Sequence, residues 1–360
     1  MTDYRNPPWH YEQIFSSLSD VEDIGWGKRL THLPEAWKSS RGAGVTVAVL
    51  DTGCQLDHPD LKGQILGAKD FSGSAYGPDD QQGHGTHCAG IIAAINDEHG
   101  AVGVAPDLGK PIPSNFSDYT THRTYIERGG LYIGKVLGDN GLGAHEKIAR
   151  GINWSVEQKV DIISMSLGGG GTSRVMTEAI DQAIKAGVFV ICAAGNDGSD
   201  VSVNYPASLD QTIAVAAIGE SAVVAEYSSR GPEVDIAAPG SKILSTFING
   251  GYAHLSGTSM ATPFVAGVAA LIVSKHKRAG EVSSTPVSNQ EQLREHMTRH
   301  AIDLGKEGFD CETGYGLINP VGLLNKTKPE DDKIDVERLK ELLSEALSIV
   351  EDSTDGTATG

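Results

Sequence analysis

Cysteine is scarce in this chain of 360 residues: there are four, Cys54, Cys88, Cys192 and Cys311. Their spacing matches no small disulfide-stapled framework, and the segments carrying them read as core or site-adjacent. That excludes a disulfide scaffold and points to a reducing cytoplasm. Basic residues are also few, with 29 Lys and Arg against 47 Asp and Glu, for a net charge of −18. A balance of this sign argues against nucleic-acid binding and favours solubility and cation sites. No apolar run is read as long enough to span a membrane. The start, Met1-Thr2-Asp3-Tyr4-Arg5-Asn6-Pro7-Pro8, is polar and lacks the basic-then-apolar layout of a secretion signal.

What is present is enough for one sizeable domain, since 39% of the residues are hydrophobic. The chemistry lies in three short segments far apart: Asp51-Thr52-Gly53, Gly83-His84-Gly85-Thr86-His87 and Gly257-Thr258-Ser259-Met260-Ala261-Thr262-Pro263. Each has a legible setting. Val45-Thr46-Val47-Ala48-Val49-Leu50 is an apolar run expected to form a strand buried on both faces, with Asp51 at its carboxyl end. His84 and Ser259 each precede a run of small and apolar residues, which predicts tightly packed central helices. Ser259 is then expected at a helix N-terminus, where unpaired N–H groups favour developing negative charge. Pro263 is expected in the first turn.

A serine hydroxyl is a poor nucleophile unless a base takes its proton as it attacks. His84 is the candidate base, and Asp51 the carboxylate that orients it and stabilises the imidazolium. The oxyanion needs a donor. Val188-Phe189-Val190-Ile191-Cys192-Ala193-Ala194 reads as another buried strand, ending in Gly195-Asn196-Asp197-Gly198, so the Asn196 carboxamide is the candidate.

Three such segments in the order Asp, His, Ser resemble the subtilases, the subtilisin-like serine proteases. The resemblance runs from about Gly25 to Asn319 and includes Asp161-Ile162-Ile163-Ser164-Met165-Ser166-Leu167-Gly168 and Ser229-Arg230-Gly231-Pro232-Glu233. It implies a three-layer α/β/α subtilisin-like fold around a central, mostly parallel sheet. The implied activity is serine endopeptidase action on protein or peptide substrates through a Ser259 acyl-enzyme. A peptide ligase or macrocyclase using the same acyl-enzyme, and a catalytically silent peptide-binding scaffold, are the alternatives. The resemblance further implies that Gly141, Leu142 and Gly143, with Ser166, Leu167 and Gly168, receive the peptide as an added strand. Ala193, Ala194 and Gly195 would line the pocket for the residue before the cut, with Asn204 near its base. His145 stands where the family often has a tyrosine, over a further pocket, with Ile148 one turn on.

The same resemblance implies a Ca²⁺ cage, with Asp60 and Asp97 as carboxylate ligands and Ile95, His99 and Ala101 as carbonyl donors; Glu22 is a further candidate. His58 and His254 are expected on the surface or in turns, and His87 in a structural role. Residues 1–22 form an N-terminal extension, 23–325 the peptidase domain with a surface insert at 107–130, and 326–360 an acidic tail. The 44 residues ahead of Val45 are too few for both a secretion signal and a folded prodomain. Pro7-Pro8-Trp9-His10-Tyr11 instead resembles the extension of intracellular subtilisins, which implies an inhibitory segment lying across the active site and later clipped. In the tail, Val336, Leu339, Leu343, Ala346 and Val350 repeat with helical spacing. That helix either packs back on the domain or pairs with another chain as a homodimer.

Overall fold

Strand and helix signals alternate along this chain, and the computed structural model resolves them into a parallel sheet flanked by helices. It describes residues 4–5, 10–15, 24–112, 129–169, 171–198, 202–279 and 287–325. In chain order the elements begin with β1 (Tyr4–Arg5), β2 (His10–Phe15), α1 (Trp26–Leu30), α2 (Leu33–Ala36) and β3 (Thr46–Asp51). A short 3-10 turn (Pro59–Leu61) leads to β4 (Ile65–Asp70), α3 (His84–Ala93), β5 (Gly130–Lys135), β6 (Leu142–Gly143), α4 (His145–Glu157) and β7 (Ile162–Met165). Then come α5 (Arg174–Lys185), β8 (Phe189–Ala193), β9 (Ile213–Ile218), β10 (Ile236–Pro239), β11 (Ile243–Phe247) and β12 (Gly251–Ser256). The described chain closes with α6 (Thr258–Ala279), α7 (Gln290–Arg299) and α8 (Pro320–Asn325).

The main sheet has seven strands in the order β10-β9-β8-β7-β3-β5-β4, parallel throughout. Its strands are apolar runs because helices cover both faces. Helices α3 and α6 pack together and contact the sheet, while α4 and α5 form a second helical pair against it. This is the expected three-layer architecture. Asp51 ends β3 in register with Lys135 at the end of β5, so the site is built at the carboxyl edge of the sheet.

Two readings of the sequence change here. The stretch Thr258–Lys277 is, by length and composition, long and apolar enough to cross a membrane, but 94% of its window is buried inside the fold. Its apolarity serves the core. Helix α6 also begins at Thr258, which puts Pro263 sixth in the helix and beyond the first turn.

Two smaller sheets carry the N-terminal segment. β1 pairs antiparallel with β6, Tyr4 opposite Gly143 and Arg5 opposite Leu142. β2 adds to the β11–β12 hairpin, with His10 opposite Ser256 and Phe15 opposite Tyr252. Glu22, residues 113–128 of the insert and the tail 326–360 lie outside the described residues.

Candidate active site

Asp51 and His84 meet where β3 ends and α3 begins. The His84 Nδ1–H donates to Asp51 Oδ1 at 2.8 Å, and the Thr52 N–H donates to the same oxygen at 2.7 Å. Both side chains are buried. The approach depends on Gly85, since a Cβ there would lie 2.1 Å from the carbonyl oxygen of Gly53. Burial disfavours the His84 cation, yet the adjacent Asp51 carboxylate outweighs it and raises His84 above its ordinary 6.5.

Ser259 is the second residue of α6 and is also buried; its Oγ has no hydrogen-bond partner among the described residues. Its carbonyl reveals what Pro263 does. In a regular helix that oxygen would accept the N–H of residue 263, which proline lacks. The Ser166 hydroxyl donates to it instead at 2.8 Å, and the Cys88 thiol at 3.4 Å. Pro263 thus frees an acceptor that ties the Ser259 backbone to α3 and to the segment after β7. Burial pushes the Cys88 thiol up, which keeps it a neutral donor.

Asn196 follows β8, and its Oδ1 accepts from the Thr258 N–H at 2.9 Å and the Thr258 hydroxyl at 2.8 Å. With the oxygen held, the carboxamide NH₂ is the end directed elsewhere. A Cβ on Gly257 would come within 3.0 Å of it. The Thr258 hydroxyl is turned to Asn196.

The remaining expected residues fall into three groups. Leu142 and Gly143 form β6, preceded by Gly141 at φ 74°. Ser166, Leu167 and Gly168 follow β7, while Ala193, Ala194 and Gly195 run off the end of β8. Asn204 closes against both of these last segments: a Cβ on Gly195 would lie 2.3 Å from its Nδ2, and one on Gly168 3.1 Å from its Cβ. Asn204 also donates to Asp197 at 2.7 Å. His145 opens α4, whereas Ile148 on the same helix is fully buried in the hydrophobic core.

The cage residues form a separate cluster. Asp60 is buried and accepts from the Ala101 N–H at 2.9 Å and the Tyr252 hydroxyl at 2.9 Å, while its carbonyl accepts from the Ile95 N–H at 2.8 Å. His99 Nδ1 bonds the Asp97 carbonyl at 3.0 Å. His58, expected near the surface, is fully buried here, with Nε2–H donating to the Gly251 carbonyl and Nδ1 accepting from the Asp60 N–H. Its burial is a tertiary matter, because the β11–β12 hairpin covers it. His87 is structural as expected: its Nε2–H is shared between the Ile243 and Ala253 carbonyls, at 3.0 and 2.9 Å. All four cysteines are free, three buried and Cys311 exposed.

One group of three metal-type ligands occurs among the described residues, Asp51, His84 and Cys88. Its shortest contact is the orienting Asp51–His84 hydrogen bond, so it is accounted for without an ion. Asp80 was missed by the sequence reading. Its carboxylate gathers five donors beside His84, and the available signal was an acid just ahead of a helix that starts with no side-chain cap.

Comparison with known proteins gives the site its context. Residues 42–316 match the model of the Subtilase family. The chain is 41% identical over 301 residues to the "Intracellular serine protease" of Paenibacillus polymyxa, covering 81% of this chain and 85% of that protein. It is 43% identical over 267 residues to the "Major intracellular serine protease" of Bacillus subtilis (strain 168), covering 71% and 77%. Against "Subtilisin DY" of Bacillus licheniformis the identity is 39% over 282 residues, covering 78% and 90%.

Proposed function

Because this chain belongs to the subtilase family and is a serine endopeptidase, we propose that Asp51, His84, Ser259 and Asn196 carry its reaction. His84 Nε2 takes the Ser259 Oγ proton as Oγ bonds to the scissile carbonyl carbon. The carbonyl oxygen becomes an oxyanion that accepts from the Asn196 NH₂ and the Ser259 N–H. Collapse breaks the C–N bond, and His84 returns the proton to the departing amine. Water, deprotonated by His84, then releases the acyl group and restores Ser259. The observation that carries this reading is the 2.8 Å His84–Asp51 hydrogen bond, which fixes the His84 tautomer with Nε2 as the basic nitrogen.

The test compares wild type with Ser259→Ala on an unstructured protein, with all masses read by intact mass spectrometry. Cleavage by wild type alone is expected. Equal cleavage by both would overturn the assignment.

The substrate reading is an extended peptide added to β6 and to residues 166–168, its last residue before the cut entering the pocket of Ala193, Ala194, Gly195 and Asn204. The N-terminal extension competes for this place. Two observations support an inhibitory role: β1 is already paired along β6, and β2 brings His10 opposite Ser256, three residues before the nucleophile. Deleting residues 1–20 should raise peptide hydrolysis. Unchanged hydrolysis would leave the extension a surface strand.

Calcium fits the Asp60 cluster. Burial raises the Asp60 pKa, and the nearby Asp97 charge adds to that, so a cation among these oxygens would relieve a standing cost. A Cβ on Gly100 would lie 2.3 Å from Asp60 Oδ2, which shows how closely the loop is drawn around this carboxylate. Asp60 and Asp97, with the carbonyls of Ile95, His99 and Ala101, would hold the ion. Hard oxygen donors suit Ca²⁺, which would stabilise the loop and take no part in catalysis. A cytoplasmic location is supported by the free cysteines and by the names of the two intracellular relatives.

A further inference from the structure

Between the loop that follows Asp51 and the first turn of the His84 helix lies a second carboxylate, which no step of the reaction uses. Asp80 is buried, three residues ahead of Gly83, the N-cap of α3. Its Oδ1 accepts from the Thr52 hydroxyl, the Gln82 N–H and the Gly83 N–H, each at 3.0 Å. Its Oδ2 accepts from the Thr86 N–H at 2.9 Å and the Thr86 hydroxyl at 2.7 Å.

The two hydroxyls make this more than a helix cap. Thr52 Oγ1 also accepts the Gly85 N–H at 2.9 Å, and Thr86 Oγ1 accepts the Gln55 N–H at 2.9 Å. One relay therefore runs from α3 through the loop hydroxyl to Asp80. The other runs from the loop through the α3 hydroxyl to the same carboxylate. Each crosses the seam in the opposite direction, so the seam can neither slide nor open without breaking a charge-assisted bond. Thr52 is bonded to Asp51 in the chain, and Gly83 and Gly85 flank His84, so the clamp acts on both partners of the 2.8 Å bond at one covalent remove.

An acid is required by the donor count. Five donors converge on the group, and its place at a helix N-terminus favours negative charge. An asparagine keeps the shape but turns an NH₂ toward donors on one side. The Asp51 carboxylate raises the His84 pKa, and the contribution Asp80 makes through its five hydrogen bonds is geometric.

We propose that Asp80 is the positioning residue of the catalytic pair, holding Asp51 and His84 in register through the hydroxyl relays of Thr52 and Thr86. The inference rests on the assignment of Asp51, His84 and Ser259 made above.

The test uses the full chain and the variants D80N, T52V, T52S and D80N/T52V. Three readouts are taken: the rate at which a fluorophosphonate labels Ser259, the low-field proton resonance of His84 Nδ1–H, and the thermal midpoint. A displacement of the pair of about 1 Å costs on the order of 10²-fold in rate. D80N and T52V are expected to slow labelling on that scale and to shift the His84 resonance while folding cooperatively. T52S, which keeps the hydroxyl, should restore both. The double variant should be no slower than the slower single one, because both act on one relay. Unchanged labelling and an unmoved resonance in a folded D80N or T52V would overturn the inference, as would multiplicative losses in the double variant. If D80N does not fold, T52V decides alone, since it leaves the Asp80–Thr86 arm intact. Wild type that never labels at Ser259 would sink the catalytic assignment itself, a result distinct from these.

Discussion

Thr258 holds the carboxamide oxygen of Asn196 with two hydrogen bonds, 2.9 Å from its N–H and 2.8 Å from its hydroxyl. A carboxamide has one oxygen and one NH₂, so fixing the first decides where the second points. Thr258, immediately before Ser259, thus orients the carboxamide proposed as the oxyanion donor.

In subtilisin, losing the corresponding Asn donor lowers kcat about 10²–10³-fold; Asn196→Ala is expected to show the same loss here, with KM little changed. Thr258→Val removes one of the two tethers and should give a smaller fall in kcat of the same kind. Steady-state kinetics on a peptide substrate checks both. A fall in KM-controlled binding with kcat preserved would refute the orientation argument.

In the proposed reaction His84 acts as the neutral base, and the Asp51 charge raises its pKa above 6.5. Activity should therefore rise with pH through an acid limb lying above that value. Asp51→Asn removes the charge, so the limb should move to lower pH while the plateau falls by orders of magnitude. A pH profile of kcat/KM for both proteins is the measurement. A limb that stays in place would mean that Asp51 does not set the titration.

Burial holds His87 neutral, lowering its pKa from 6.5 to about 3. The folded state then binds fewer protons than the unfolded one across that interval. The stability this contributes is present above pH 6.5 and is lost as pH falls toward 3. His87→Gln keeps an N–H donor for the Ile243 and Ala253 carbonyls but does not titrate. Its thermal midpoint should decline less steeply than wild type between those pH values, and parallel curves would contradict the assignment.

A bound ion stabilises by mass action, about 2.7 kcal/mol at a hundredfold excess over Kd. Chelation should accordingly lower the thermal midpoint of wild type. In Asp97→Ala the difference between calcium and chelator should shrink, since one carboxylate is gone. Equal shifts in the two proteins would place the ion elsewhere.

How much was legible in the sequence depends on the kind of residue. The proposed set of Asp51, His84, Ser259 and Asn196 stands out because nucleophilic catalysis admits few side-chain types, and each stands in a short glycine-bearing segment at a strand end or helix start. The parallel sheet was equally plain, because strands covered on both faces must be apolar throughout.

Partnership was another matter. Nothing adjacent to Asp80 indicates that Thr52, 28 positions away, donates to it. Nothing near Pro263 indicates that Ser166, 93 positions from Ser259, will meet the carbonyl it frees. His58 reads as an ordinary turn histidine until the hairpin 193 positions on covers it. Even the segment Tyr4–Arg5 has no strand signal of its own, and becomes one by pairing with Leu142–Gly143.

The division has one physical reason. Chemical identity and hydrophobic periodicity are local and are written in consecutive residues, so they determined the family and the architecture and marked the catalytic set proposed here. The hydrogen bonds that aim those groups join segments brought together only when the core closes. Alignment, burial and the strength of each contact were therefore decided by the tertiary structure.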